Sequence, residues 1–176
     1  MRKLIQILLI VIIAANVPSK IFAQLPKALA FGNFTYADPL GALSSSYKNG
    51  IGFEVGGGIG FGRTLLYAST GYINYNGKNS SIGSIKIVPV KLGIRRYLLF
   101  GLFLNGAIGI ANQTLQVPIN YSGNFNTVNN SGFLYEFGAG LKVFKLIEIG
   151  AAYTGWNNNG SNLNALLLKA GLAIKL

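Results

Sequence analysis

The sequence predicts an all-β fold, a single eight-stranded antiparallel transmembrane up-and-down β-barrel. Three observations lead there. A secretory leader opens the chain, eight alternating runs follow with no helix-forming stretch between them, and the links between runs are long and short in strict turn.

The leader comes first. Arg2 and Lys3 precede an apolar run from Leu4 to Val17 that only Gln6 and Asn16 interrupt, and Phe22-Ala23-Gln24 follows a short polar stretch. This is the charged, apolar and cleavage-site order of a signal peptide, and the run is short for a bilayer span. Cleavage is expected after Ala23, which divides the chain into a signal peptide, 1–23, and one barrel domain, 24–176.

Composition agrees with export into lipid. Apolar residues make up 51% of the 176 and charged residues 11%, well under the roughly 25% of a soluble domain. The chain has 24 Gly, 9 Tyr and 11 Phe. It has no Cys and no His, so disulfides, thiolate chemistry and the most usual general base and metal ligand are excluded. The formal charge of +11 is scattered along the chain; it suits an envelope facing anionic lipid better than nucleic acid, and no nucleic-acid partner is expected.

The runs fall at about 29–36, 49–61, 64–75, 85–98, 102–115, 132–144, 146–156 and 163–176. Most match the roughly 9–11 residues a tilted strand needs to cross a bilayer. The links 37–48, 76–84, 116–131 and 157–162 are long and polar, whereas those around Arg63, Phe100 and Lys145 are tight. Outer-membrane barrels sort their loops this way, short on the periplasmic side and long outside.

Alternation within the runs sets which residues face in. Side chains of a strand point to opposite faces in turn. The last run puts Leu166, Leu168, Ala170, Leu172 and Ile174 on one face, against Lys169 and Lys175 on the other. Run 132–144 sets Phe133, Tyr135 and Phe137 against Glu136 and Lys142. Run 146–156 sets Ile147 and Ile149 against Glu148, run 49–61 sets Ile51, Phe53 and Val55 against Glu54, and run 85–98 sets Val90, Leu92 and Ile94 against Lys91 and Arg95. Runs 29–36 and 64–75 show no clean facing.

A closed barrel of eight strands has room for its own side chains or one small ligand. The inward charges are therefore expected to form a salt-bridged network, with inward glycines making space. Three-residue turns at 144–146 and 99–101 set Lys142 opposite Glu148 and Arg95 opposite Asn105. Aromatic residues gather at both ends, Tyr75, Tyr135, Tyr153 and Trp156 toward the long-loop rim and Phe61, Tyr97, Phe100, Phe103 and Phe144 toward the other, as interfacial girdles do.

With leader, strands and loops in place, the segments Pro39-Leu40-Gly41, Ser46-Tyr47-Lys48-Asn49-Gly50 and Val88-Pro89-Val90 resemble the small outer-membrane β-barrel proteins, the group that includes OmpX and the barrel domain of OmpA. The ending Lys169-x-Gly171-x-x-Ile174-x-Leu176 is similar to the carboxyl-terminal signal read by the barrel assembly machinery, with aliphatic residues where aromatics usually stand. The resemblance implies residence in the outer membrane of a Gram-negative envelope, with outer-membrane lipids and that machinery as partners.

No catalytic, cofactor or metal residue is expected. The Gly56–Gly62 run lacks G-x-G-x-x-G spacing and a following helix, and the four carboxylates lie on distant strands. Loop 116–131, rich in Asn and holding Tyr121 and Phe125, is the candidate contact for an outside partner, since function concentrates in such loops. Arg63, Arg96, Lys145 and Lys175 gather at the short-turn rim, where anionic headgroups are one partner and water the other. The function expected is structural or surface-interactive; a narrow pore and a soluble ligand-carrying barrel are the alternatives.

Overall fold

The structure is a computed structural model that describes residues 26–79, 82–118, 125–158 and 160–175. The leader and Tyr121 lie outside the described residues. Eight strands follow one another: β1 (Lys27–Leu40), β2 (Gly50–Phe61), β3 (Thr64–Tyr75), β4 (Ile85–Tyr97), β5 (Leu102–Pro118), β6 (Phe125–Val143), β7 (Ile147–Asn158) and β8 (Ser161–Lys175). Each pairs antiparallel with the next, and β8 pairs back to β1 from Leu29↔Lys175 to Leu40↔Asn164, closing the barrel. Closure satisfies the two sheet edges that an open meander would leave bare.

The tight links are two- and three-residue turns. Phe61 pairs with Thr64 across Gly62 and Arg63, and Gly62 takes the left-handed conformation, φ 60°, that a hairpin of this length requires. Leu98 N–H donates to Leu102 O at 2.7 Å across Leu99–Gly101, and Val143 pairs with Ile147 across 144–146. In these two turns the left-handed position is held by Phe100 and Phe144, at φ 57° and 60°. Both rings stand out from the turn, Phe100 being 92% exposed.

Two of the long links are more structured than their composition suggests. Link 37–48 begins as strand to Leu40 and then forms a one-turn helix, α1 (Ala42–Ser46), where no helix was expected. Leu43 on that turn is buried against the long-loop end of the lumen, beside Ala37, Tyr75 and Trp156. The chain after α1 bonds to the next loop through Lys48 N–H to Asn76 O and Lys78 N–H to Ser46 O. Link 116–131 is largely strand: β5 and β6 stay paired out to Pro118↔Phe125.

Burial alternates along the strands within the barrel, as the sequence reading required for runs 2, 4, 6, 7 and 8, while 126–129 of β6 are exposed on both faces. The outer faces of β2, β4, β6 and β8 carry exposed Ile59, Ile94, Phe137 and Leu172 among many others. A soluble monomer rarely exposes so wide a contiguous apolar belt. Strands β1 and β3 looked unclear because their inner faces mix polar with apolar residues. β1 turns in Leu29, Phe31, Asn33 and Thr35, and β3 turns in Leu65, Tyr67, Ser69 and Ile73. The lumen is layered, so the inner faces of β1 and β3 are mostly apolar toward their ends and polar in the middle.

The same layering corrects part of the aromatic assignment. Tyr75, Trp156, Tyr97 and Phe103 lie at the heights expected but point inward and are buried. They share parity with Ile73, Thr154, Arg95 and Asn105, two residues away on the same inner faces. Only the outward set, including Phe61, Phe100, Phe144 and Tyr153, stands where a girdle would.

Candidate functional site

The middle layer of the lumen is an ionic ring built by the even-numbered strands. β2 supplies Glu54, β4 Lys91, β6 Glu136 and β8 Lys169. Lys91 Nζ lies 2.7 Å from Glu54 Oε1 and 2.8 Å from Glu136 Oε2, and Lys169 Nζ lies 2.7 Å from Glu54 Oε2 and 2.6 Å from Glu136 Oε1. Two ammoniums thus bridge two carboxylates, and every carboxylate oxygen of the ring has a cation.

The odd-numbered strands make room for it. Glu54 sits across from Asn33 and Gly71, Lys91 from Ser69 and Gly109, Glu136 from Ala107 and Thr154, and Lys169 from Thr35 and Gly150. None of these neighbours has a long side chain. At Gly109 a Cβ would come within 2.0 Å of the Val90 carbonyl oxygen and 2.9 Å of the Lys91 Cα. Ser69 Oγ donates to Glu54 Oε1 at 2.7 Å and Asn105 Nδ2 to Glu136 Oε1 at 3.4 Å, adding neutral bonds to the charged ones. Buried charge is tolerated only when paired and hydrogen-bonded in this way.

Toward the short turns the ring gives way to an aromatic cage. Arg95 reaches Glu148 Oε2 at 2.8 Å, and Tyr97 donates its hydroxyl to Glu148 Oε1 at 2.7 Å. The guanidinium carbon lies 4.6 Å from the Phe31 ring centre, 4.8 Å from Phe103 and 5.4 Å from Tyr67. Stacking on ring faces while bonding a carboxylate in plane is geometry that guanidinium offers and ammonium does not. Toward the long loops the lumen is filled by Ile73, Ile87, Leu134, Leu167, Trp156 and the α1 residue Leu43.

The expected network is therefore present, with one partner exchanged. Lys142 does stand opposite Glu148, and Arg95 opposite Asn105. Yet Glu148 reaches across the bore to Arg95, while Lys142 Nζ turns to the Ala173 carbonyl at 3.2 Å. Sequence gives cross-strand neighbours but not contacts across the lumen, which depend on how narrow the closed cylinder is. Two internal cavities, above and below the ring, are about 20 Å³ each, room for about one water apiece.

Among the described residues no group of three or more potential metal-ligating side chains converges. The described residues of the candidate partner loop 116–131, 116–118 and 125–131, form a two-stranded ribbon. β6 makes its last pair with β7 at Leu134↔Trp156 and β4 makes its last pair with β5 at Ile85↔Leu115, whereas β5 and β6 run on together. The side of β6 that faced β7 lower down has no strand beside it from Asn126 to Asn129 among the described residues. Thr127 N–H is met there by the Asn126 side chain, Oδ1, at 3.1 Å.

No family model matches the sequence, and no curated protein matches it either. Solved structures do. The Yersinia pestis attachment invasion locus protein Ail, in complex with the heparin analogue sucrose octasulfate, superposes with a TM-score of 0.62 over 85% of this chain and 98% of that one, at 16% identity. This is the fold of the small outer-membrane β-barrels. The N-terminal barrel domain of Pseudomonas aeruginosa OprF gives 0.54 at 14% identity, over 85% of this chain and 96% of that one. Neisserial surface protein A gives 0.52 at 12%, over 86% and 97%. At these identities the likeness speaks for the architecture that the small outer-membrane β-barrels share.

Proposed function

We propose that this protein is a non-enzymatic integral membrane barrel of the outer membrane whose long-loop end makes surface contacts. Residues 1–23 serve as a cleaved secretory leader and 24–176 as the barrel, inserted by the barrel assembly machinery with its short turns on the periplasmic side. The apolar belt supports lipid as the solvent of the outer face, because none of the described residues packs over it. The filled lumen weighs against a pore, and the exposed belt weighs against a soluble ligand carrier.

The observation that carries the surface role is the side of β6 from Asn126 to Asn129, beside which no strand lies among the described residues. Backbone groups of an unpaired strand accept an extended segment as a further strand, with affinity from main-chain hydrogen bonds. The ribbon is neutral and rich in Asn, which suits a polypeptide partner. Ail carries a sulfated ligand on a barrel of this fold, a precedent for partners of such barrels.

The test is an array of extended peptides probed with the detergent-folded barrel, wild type against Thr127→Pro and Val128→Pro. The reading expects a bound subset for the wild type and its loss in the variants, with unboiled gel mobility confirming that all three remain folded. Equal binding by folded wild type and variants, or none by the wild type, counts against it.

A further inference from the structure

We propose that the short-turn mouth of the lumen binds a soluble multivalent oxyanion of the phosphate class. Among the described residues the charges inside the barrel do not balance, and the surplus lies at one end. Lys91, Lys169 and Arg95 face inward and use Glu54, Glu136 and Glu148 as their partners. Two further lysines, Lys142 and Lys175, also project from inner faces, and both sit at the short-turn mouth. They have carbonyls for partners: Ala173 O at 3.2 Å from Lys142 Nζ and Gly62 O at 3.5 Å from Lys175 Nζ.

Both ammoniums stand over one ring. Tyr97 has Lys175 Nζ 4.6 Å from its centre and Lys142 Nζ 6.0 Å away. Lys27, at the start of β1, and Arg63, in the first turn, lie within electrostatic reach of Lys175 as well. Four cations thus share one opening. Among the described residues the carboxylate within reach is Glu148, and its oxygens are taken by Arg95 and Tyr97. Like charges held together by separate strands repel, at a cost that a single anion with several oxygens would relieve. Such an anion accepts from more than one ammonium at once, which a backbone carbonyl does less well.

Direction separates two sources of phosphate. Lys142 and Lys175 come from the faces that line the bore, whereas lipid headgroups surround the outer face. Arg96, exposed on the outer side of β4, and Lys145, exposed at the third tight turn, are the cations placed for lipid. The mouth is set to receive an ion from the water below the barrel.

The experiment is calorimetric titration of pyrophosphate into the folded barrel in zwitterionic detergent at low ionic strength, where charge is little screened. Wild type is compared with K142Q/K175Q, with K142R/K175R and with R96Q/K145Q. The proposal expects saturable one-to-one binding, weakened at least tenfold in K142Q/K175Q and within twofold of wild type in the other two. Since neither lysine belongs to the buried ring, the variants should fold, and unboiled gel mobility checks this. Absence of saturable binding, or equal losses in the inward and outward Gln pairs, would overturn it. Repeating the titration in phosphatidylcholine nanodiscs with and without phosphatidylglycerol distinguishes the sources. Unchanged affinity supports a soluble ion; displacement of pyrophosphate by the anionic lipid assigns the site to a headgroup and overturns the proposal as stated.

Discussion

Lys91 and Glu136, 45 residues apart, meet at 2.8 Å in the middle of the barrel with almost no solvent on either side chain. They belong to strands that do not pair with each other, so the contact exists only once β4, β5 and β6 are assembled. Each is also held by the other pair of the ring, Lys91 by Glu54 and Lys169 by Glu136. The ring is therefore a test of closure and register as much as a source of stability.

Removing one member of the ring leaves a buried charge uncompensated, which costs about 3–5 kcal/mol. Glu136→Gln is expected to lower stability by that order in urea unfolding from detergent. Adding Lys91→Met to it should cost less than the sum of the two single changes, by about 1 kcal/mol or more, because Glu54 and Lys169 can then pair alone. Strict additivity would mean that the four charges do not act together.

Arg95→Lys keeps the charge facing Glu148 but loses the planar group stacked between Phe31 and Phe103. A loss of about 1–2 kcal/mol is expected from the desolvated cation–π contacts alone. Lysine performing as well as arginine here would show that the cage contributes charge and nothing more.

Two glycines should respond in opposite ways to alanine. At Gly58 a Cβ would sit 2.3 Å from Leu66 O and 2.8 Å from the Tyr67 Cβ, on the crowded inner face. Gly58→Ala is expected to destabilise by about 1–3 kcal/mol. At Gly32, on the outer face, the nearest atom would be Val55 Cγ1 at 3.8 Å, an ordinary contact. Gly32→Ala should be neutral or stabilise by up to about 1 kcal/mol, through the unfolded chain. Equal effects would contradict the assigned facing.

With cavities of about 20 Å³ above and below the ring and Leu43 at the upper end, the described side chains fill the lumen. Planar-bilayer recording of the wild type is expected to show no stable single-channel conductance. Regular, reproducible steps would revive the pore reading.

Most of the architecture was legible because a period of two, tight turns and a charged inner face are all local patterns. The parity of β4 already placed Tyr97 beside Arg95, and the turn at 144–146 already set Lys142 against Glu148. Contacts across the bore were not legible. Nothing in the order of residues says that Glu148 prefers Arg95 on β4 to its own cross-strand neighbour; that follows from the width of the cylinder. The ribbon was hidden for another reason. Asn, Gly and Pro in 116–131 lower strand propensity, and pairing between β5 and β6 holds 116–118 and 125–131 extended. Helix α1 was missed since its five residues, Ala-Leu-Ser-Ser-Ser, carry no periodic face, and Leu43 is its single anchor.

The most direct test uses the absence of cysteine from the chain. Single cysteines placed in turn from Val88 to Ile94 on β4 and spin-labelled in a bilayer report whether each site meets lipid or the interior. If lipid bathes one face and the charged face is sealed inside, oxygen accessibility should alternate, high at Val90, Leu92 and Ile94 and low at Lys91 and Gly93. Uniform accessibility along the strand, or high exposure to a water-soluble relaxant at Lys91, would contradict the account.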